Sequence, residues 1–181
     1  MAEKERTQLL SGIVAGVAGG LLGSWVMNEF MENAGPKITE AIEGGNGRKR
    51  NGGGRSQKNG APKEDATMKT ADAVVATVTG GRHLSFEEKQ KGGPIVHYAF
   101  GALMGGLYGA LAEYSPRARA GFGTAFAGAL FAGADLVAVP ALHLSSSSAD
   151  APVSTLATPF AAHLVYGVTT EATRRLVRAM L

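Results

Sequence analysis

The chain has 181 residues, no cysteine, and 18 Lys and Arg against 15 Asp and Glu, giving a formal net charge of +3. The absence of cysteine excludes disulfides and thiolate metal sites. The surplus basic residues lie in loops and tails, so the charge does not point to nucleic acid, and the length suits one domain.

The mean hydropathy of +0.03 averages two unlike kinds of sequence. From Leu9 to Met31 the only charge is Glu29, and from Pro94 to Ser115 it is Glu113. From Ala120 to Leu142 it is Asp135, and from Ala151 to Thr173 it is Glu171. Windows of about twenty residues with one acid each suit a hydrocarbon core about 30 Å thick at about 1.5 Å rise per residue. A soluble Ala/Gly-rich bundle is the competing reading. Gly costs about 1 kcal/mol at an interior helical position in water, and many of the 26 glycines fall inside these windows. In lipid the helix is enforced by backbone hydrogen bonding and Gly becomes a packing device.

Met1 to Gln8 is short and charged. Leu9 to Met31 is long for a signal-peptide core and is not followed by an A-x-A-like cleavage site, so it reads as the first span. Gly12, Gly16, Gly20, Ser24 and Asn28 lie four apart on one stripe, and Trp25 falls where an interfacial anchor would sit. Residues 32–93 form a long polar insert. Within it, GGNGRKRNGGGRSQKNG (Gly44 to Gly60) has no apolar residue, which predicts disorder over 44–63. A solvated linker and a headgroup- or nucleic-acid-binding arm at Arg48, Lys49 and Arg50 are its two readings. Met68, Ala71, Val75 and Val78 mark an amphipathic helix over about 64–79. Ser85-Phe-Glu-Glu88 is a capping box opening a second over 85–92, which Gly92-Gly93-Pro94 ends. Both lie on the membrane surface or dock on the bundle.

The second span, about 94–114, carries a second small-residue stripe: His97, Gly101, Gly105, Gly109 and Glu113 follow one another at four-residue steps. Such stripes let helices approach closely. After a tight basic turn, the third span covers about 119–141. A Ser-rich loop then leads to the fourth, about 153–173, and Arg174, Arg175 and Arg178 close the chain. With cytoplasmic termini, the amino-terminal segment, the turn and the tail hold the basic residues, and the Ser-rich loop holds none, which fits the positive-inside rule. The insert, with eleven Lys and Arg, would then face outward.

Counting depth from the span ends gathers Asn28, Glu29, His97, Asp135 and His163 into one half of the bundle. The other half gathers Glu113, Glu171, Arg117, Arg174 and Arg175. The first set has the residue types of a proton relay or divalent-cation site; its plainer reading is internal hydrogen bonding between helices. The second reads as ion pairs locking the cytoplasmic ends. His97-Tyr-Ala-Phe-Gly101 and His163-Leu-Val-Tyr-Gly167 share H-x-x-aromatic-G, a weak hint of two hairpin repeats. Nothing matches a nucleophile-base-acid set, a phosphate-binding loop, a dinucleotide fingerprint or H-E-x-x-H, so an enzyme is not expected, nor a cofactor.

From Pro94 onward the order of features resembles the YagU-like family of small bacterial inner-membrane proteins of unknown function. The features are His97 followed by Y-G-x-L-A-E ending at Glu113, the turn at Pro116, the Gly-rich span ending near Pro140, His163 with Tyr166, and Glu171 before Arg174-Arg175. The resemblance implies a bacterial cytoplasmic-membrane location and no established activity, and it says nothing of the insert.

The expected architecture is all-α: an integral membrane four-helix bundle with Gly/Ala-rich interfaces and a long polar insert carrying short amphipathic helices. Gly12, Gly16, Gly20, Gly101, Gly105 and Gly109 are its packing positions. The small-residue stripes exceed the needs of one bundle, which predicts a homo-oligomer. The leading functional expectation is a structural or stress-response module of the membrane. The alternatives are a proton- or cation-handling channel or transporter using His97, Asp135 and His163, and a membrane enzyme holding a metal on the same residues.

Overall fold

The computed structural model describes residues 2–45, 64–144 and 153–181, and among these every regular element is helical. In chain order they are α1 (Ala2–Asn33), α2 (Gly35–Gly45), α3 (Ala66–Thr79) and α4 (Phe86–Tyr114). A 3-10 segment (Pro116–Gly123) then leads to α5 (Thr124–Phe131), which continues as a π-helical segment (Ala132–Ala138) and a last turn, α6 (Val139–Ala141). The long α7 (Val153–Met180) completes the order. Among the described residues, three helical stretches are long and apolar enough to cross a membrane: Glu3–Asn33, Phe86–Tyr114 and Pro116–Ala141. The expected fourth span, α7, has the length but not the apolar character, because its inward face is polar.

Glycine sets the closest contacts. A Cβ on Gly16 would lie 2.9 Å from the Gly109 Cα, and one on Gly105 would lie 2.7 Å from the Gly20 Cα. Real Cβ atoms do not come this near to backbone, so α1 and α4 pack main chain on main chain. Gly12 faces Gly109 and Gly20 faces Gly101, which makes the pair antiparallel. The next face of α1 meets α7: Gly19 lies on Thr170, and Gly23 on Tyr166, again antiparallel. Gly123 lies against Gly167 and Gly128 near Phe160, so α5 runs antiparallel to α7. The helices therefore form two hairpins, α1–α4 and α5–α7. In each, the glycine of H-x-x-aromatic-G faces the first helix of its own hairpin.

Three segments differ from the sequence reading. Residues 35–45 form α2 where the polar insert was expected to begin. Pro36 sits near its start, where the missing N–H costs nothing, and Ile38, Ala41 and Ile42 share a face. Thr39 Oγ1 lies 3.2 Å from Thr158 Oγ1 and ties α2 to α7. Of the expected disordered stretch, Gly44 and Gly45 close α2; residues 46–63, with Arg48, Lys49 and Arg50, lie outside the described residues, as does the Ser-rich loop. The third difference is that the helix opened by the Ser85 capping box does not stop at Gly92-Gly93-Pro94 but runs on to Tyr114.

Those two glycines serve packing rather than termination. A Cβ on Gly92 would meet the Ala71 Cβ at 2.9 Å, and one on Gly93 would meet Thr67 Oγ1 at 3.0 Å. Docking of α3 holds the helix through Pro94, whose interior position costs about 3 kcal/mol in an isolated helix. Pro94 and Gln90, whose carbonyl loses its donor, are both exposed, so water can take that bond. Polar contacts staple the hairpin of α3 and α4. Asp72 Oδ1 accepts from the Leu84 N–H at 2.6 Å, and its Oδ2 faces His83 at 3.1 Å and Lys89 at 3.4 Å. The Leu84 and His83 hydrogen bonds hold the Asp72 carboxyl at about 2, well below its usual value.

Candidate functional site

Two polar clusters lie at opposite ends of the bundle, separated along α4 by the sixteen residues from His97 to Glu113, roughly 24 Å.

At the Glu113 end, Glu171 is fully buried and Arg174 is 4% exposed. Glu171 Oε2 accepts from the Tyr108 hydroxyl at 2.9 Å and from Arg174 Nε at 2.7 Å. Its Oε1 accepts from Arg174 at 3.1 Å and from Arg175 Nε at 2.6 Å. Both oxygens of this carboxylate accept two hydrogen bonds each, which is what a buried charge requires. Arg174 also lies 3.7 Å from Glu113, and Arg178 Nε donates to Glu113 at 2.9 Å. The Arg175 guanidinium sits 4.5 Å over the Phe122 ring, which a left-handed turn at Gly121, Phe122 and Gly123 presents to it. Arg117, expected in this group, makes none of its ion pairs. It sits in the 3-10 segment before that turn, whereas Arg178, one helical turn beyond Arg174, reaches Glu113 instead.

At the other end His97, Asp135 and His163 line one cavity of about 550 Å³. Its walls come from α1, α3, α4, α5, the π-helical segment and α7. Asp135 lies in the π-helical segment, where the bond from the Val139 N–H reaches back five residues to Ala134. Such wide turns recur at functional sites. His163 Nδ1 lies 2.9 Å from the Pro159 carbonyl oxygen. A carbonyl only accepts, so this nitrogen carries the proton. The other ring nitrogen, Nε2, lies 3.2 Å from Asp135 Oδ2. That contact also needs a proton, held either on the imidazole or on the carboxyl. The pair is thus a one-proton unit with no net charge, seated beside the Phe131 ring edge.

His97 differs. Its Nε2 is buried and has no hydrogen-bond partner among the described residues. It does not join the Asp135–His163 pair, and among the described residues no three His, Asp or Glu side chains meet as a metal site requires. Among the described residues the metal-holding reading therefore finds no set of three ligands.

Asn28 and Glu29 do not line the cavity. Glu29 follows Ser24 by five residues, which turns it roughly 140° from the α4-facing stripe; it is exposed and faces the Asn33 amide at 3.3 Å. Asn28 keeps the phase of the stripe but lies beyond Met27 on α1, past the cavity wall. The sequence reading met Tyr108 and Tyr166 only as parts of motifs, without a role, and passed over Thr170. Tyr166 donates to the Gly101 carbonyl at 2.7 Å, and Thr170 to the Gly19 carbonyl at 3.3 Å. Their signal is present in the sequence. His163, Tyr166, Thr170 and Arg174 recur at steps of three and four, with Glu171 beside Thr170, as one polar stripe along α7.

A family model described as a protein of unknown function (DUF1440) matches residues 69–172, more than half of the chain. The chain belongs to this family. The DUF1440 match begins inside α3 and ends within α7, so it holds His97, His163, Asp135, Glu113 and Glu171 and leaves out α1. No curated protein and no solved structure matches the chain.

Proposed function

We propose that the chain is a multi-pass protein of the bacterial cytoplasmic membrane that handles protons at the Asp135–His163 pair and turns over no covalent substrate. The observation that carries the reading is the pair itself. A 3.2 Å contact between Nε2 and Oδ2, a fixed hydrogen bond on Nδ1 and a cavity alongside are what proton uptake and release require. Three helical stretches long and apolar enough to cross a membrane support the location. The YagU-like resemblance supports the bacterial inner membrane, and α7, polar side inward, serves as the fourth span. The basic tail and turn orient the Glu171 end toward the cytoplasm.

A second reading, the structural module, is favoured by the Glu171 cluster, whose saturated hydrogen bonds lock the helix ends and leave nothing to titrate in passing. The expected oligomer loses its original motive, because both glycine stripes face each other within the chain; native mass spectrometry in mild detergent measures the state directly.

The deciding experiment is reconstitution into liposomes loaded with a pH-sensitive dye, with an imposed potential. Proton entry is expected with the wild-type chain, reduced at least tenfold by Asp135→Asn and by His163→Ala. No entry, or entry that both variants leave intact, rejects proton handling in favour of the structural module.

A further inference from the structure

The cavity beside the Asp135–His163 pair has room for more than a proton. Its volume, about 550 Å³, is that of a small-molecule site. Its wall is mostly apolar, with Val96, Phe100, Met104, Leu130 and Leu142 among the lining residues. Among the described residues that wall holds no Lys or Arg, and its only acid is Asp135. The Asp135 side chain is 40% exposed, against 10% for His163, so the carboxyl is the more open member of the pair. The remaining polar groups are the hydroxyls of Ser24, Thr67, Thr70 and Tyr166 and the His97 ring. Of these only His97, from α4, and Tyr166, from α7, can titrate, and α1 and α3 bring no ionisable side chain to the wall.

Charge selects the kind of occupant. An anion would enter an apolar space and meet a carboxyl rather than a base, which is strongly unfavourable. A cation can replace the proton between Asp135 and His163. The proton, whichever partner holds it, passes to water. Asp135 is left as a carboxylate beside the cation, and His163 as a neutral ring whose Nδ1 still bonds the Pro159 carbonyl. The charge inside the cavity is the same before and after, so no unmatched charge is buried. An inorganic cation needs several converging ligands, and among the described residues no three His, Asp or Glu side chains meet. An organic cation brings its own apolar shell, which the wall matches, and the Phe100 and Tyr166 rings on that wall suit a positive charge. We propose that this cavity binds a monovalent hydrophobic organic cation against the Asp135 carboxylate, in exchange for the proton of the Asp135–His163 pair. The exchange rests on the reading of that pair as a holder of one proton.

The test uses the full chain in weakly buffered dodecylmaltoside micelles and radiolabelled tetraphenylphosphonium, a fixed charge that can neither supply nor take up a proton. Equilibrium dialysis reads the binding, and a pH-indicator dye reads the proton. Saturable binding is expected, with release of about one proton per cation bound. Asp135→Asn weakens binding at least about tenfold and removes the release. Met104→Trp, which fills the cavity and leaves the pair in place, weakens binding by a similar factor and stands as the test even if Asp135→Asn fails to fold. His97→Phe keeps the release, which assigns the proton to the pair; a release lost in that variant overturns the exchange. Equal uptake of tetraphenylborate, the anion of the same shape, marks partition into the micelle and overturns the proposal. So does binding without proton release, or binding that either Asp135→Asn or Met104→Trp leaves intact. Proton entry is read in separate liposomes without the cation. Entry without cation binding rejects this proposal alone, and cation binding with proton release but no entry rejects the proton path alone.

Discussion

The α1–α4 seam makes a quantitative demand. A Cβ added at Gly105 would stand 2.7 Å from the Gly20 Cα and 2.8 Å from the Gly20 nitrogen, where ordinary contact is 3.4–4 Å. These are backbone atoms, so no side chain can rotate away, and α1 must retreat by the better part of an ångström along its whole contact with α4. Overpacking of this kind costs about 1–3 kcal/mol. Gly105→Ala also raises helix propensity, so the proper reference is Gly128→Ala. That position shares the propensity gain, and its added Cβ would find only the Phe160 ring at 4.0 Å. The gap between the two variants isolates the clash. At about 2–4 °C per kcal/mol for a chain of this size, it amounts to roughly 2–12 °C in melting temperature. Thermal unfolding followed by circular dichroism in dodecylmaltoside micelles measures it. Gly16→Ala combined with Gly105→Ala should cost less than the sum of the single changes, because helices already parted by one methyl accommodate the next. A Gly105→Ala protein that melts with, or above, Gly128→Ala refutes main-chain contact along this seam.

Glu171→Gln removes the charge that Arg174 is buried against. Breaking a buried pair from one side costs about 3–5 kcal/mol, and Glu113 at 3.7 Å compensates in part, so the low end is expected, a fall of at least about 6 °C; an unchanged melting temperature in micelles contradicts the burial. The α3–α4 staple should respond to acid. With the Asp72 carboxyl held at about 2 against the usual 3.8, its stabilisation is complete above about pH 4 and is lost as pH falls through 2. Hydrogen exchange at the Leu84 amide, which donates to Asp72, should lose protection over that window in the wild-type chain and show no such transition in Asp72→Asn. Equal pH dependence in both rejects the assignment.

The all-helical class and the long apolar helices were legible because their signals are cumulative: four charge gaps, and glycine too frequent for helices in water. The placing of His97, Asp135 and His163 at one end followed from counting rise along antiparallel rods, which needs no side-chain detail. Rotation was harder. Depth alone put Glu29 with the histidines, although five residues from Ser24 turn it outward. Pro94 misled for a related reason. Gly-Gly-Pro is a termination signal taken locally, and only the docking of α3 on those glycines overrides it. The π-helical segment around Asp135 left no mark in the sequence, since Ala and Gly fit α and π turns alike.

The inward polarity of α7 bears on how the chain is made. In the four-span reading, a helix carrying His163, Glu171, Arg174 and Arg175 is poorly disposed to leave the translocon for lipid alone, since each buried charge there costs a few kcal/mol. Its partners, Gly19 and Gly23 of α1 and Tyr108 of α4, are synthesised before it. The last helix can therefore enter against surfaces already in the bilayer, and its charges need never meet the acyl chains unaccompanied.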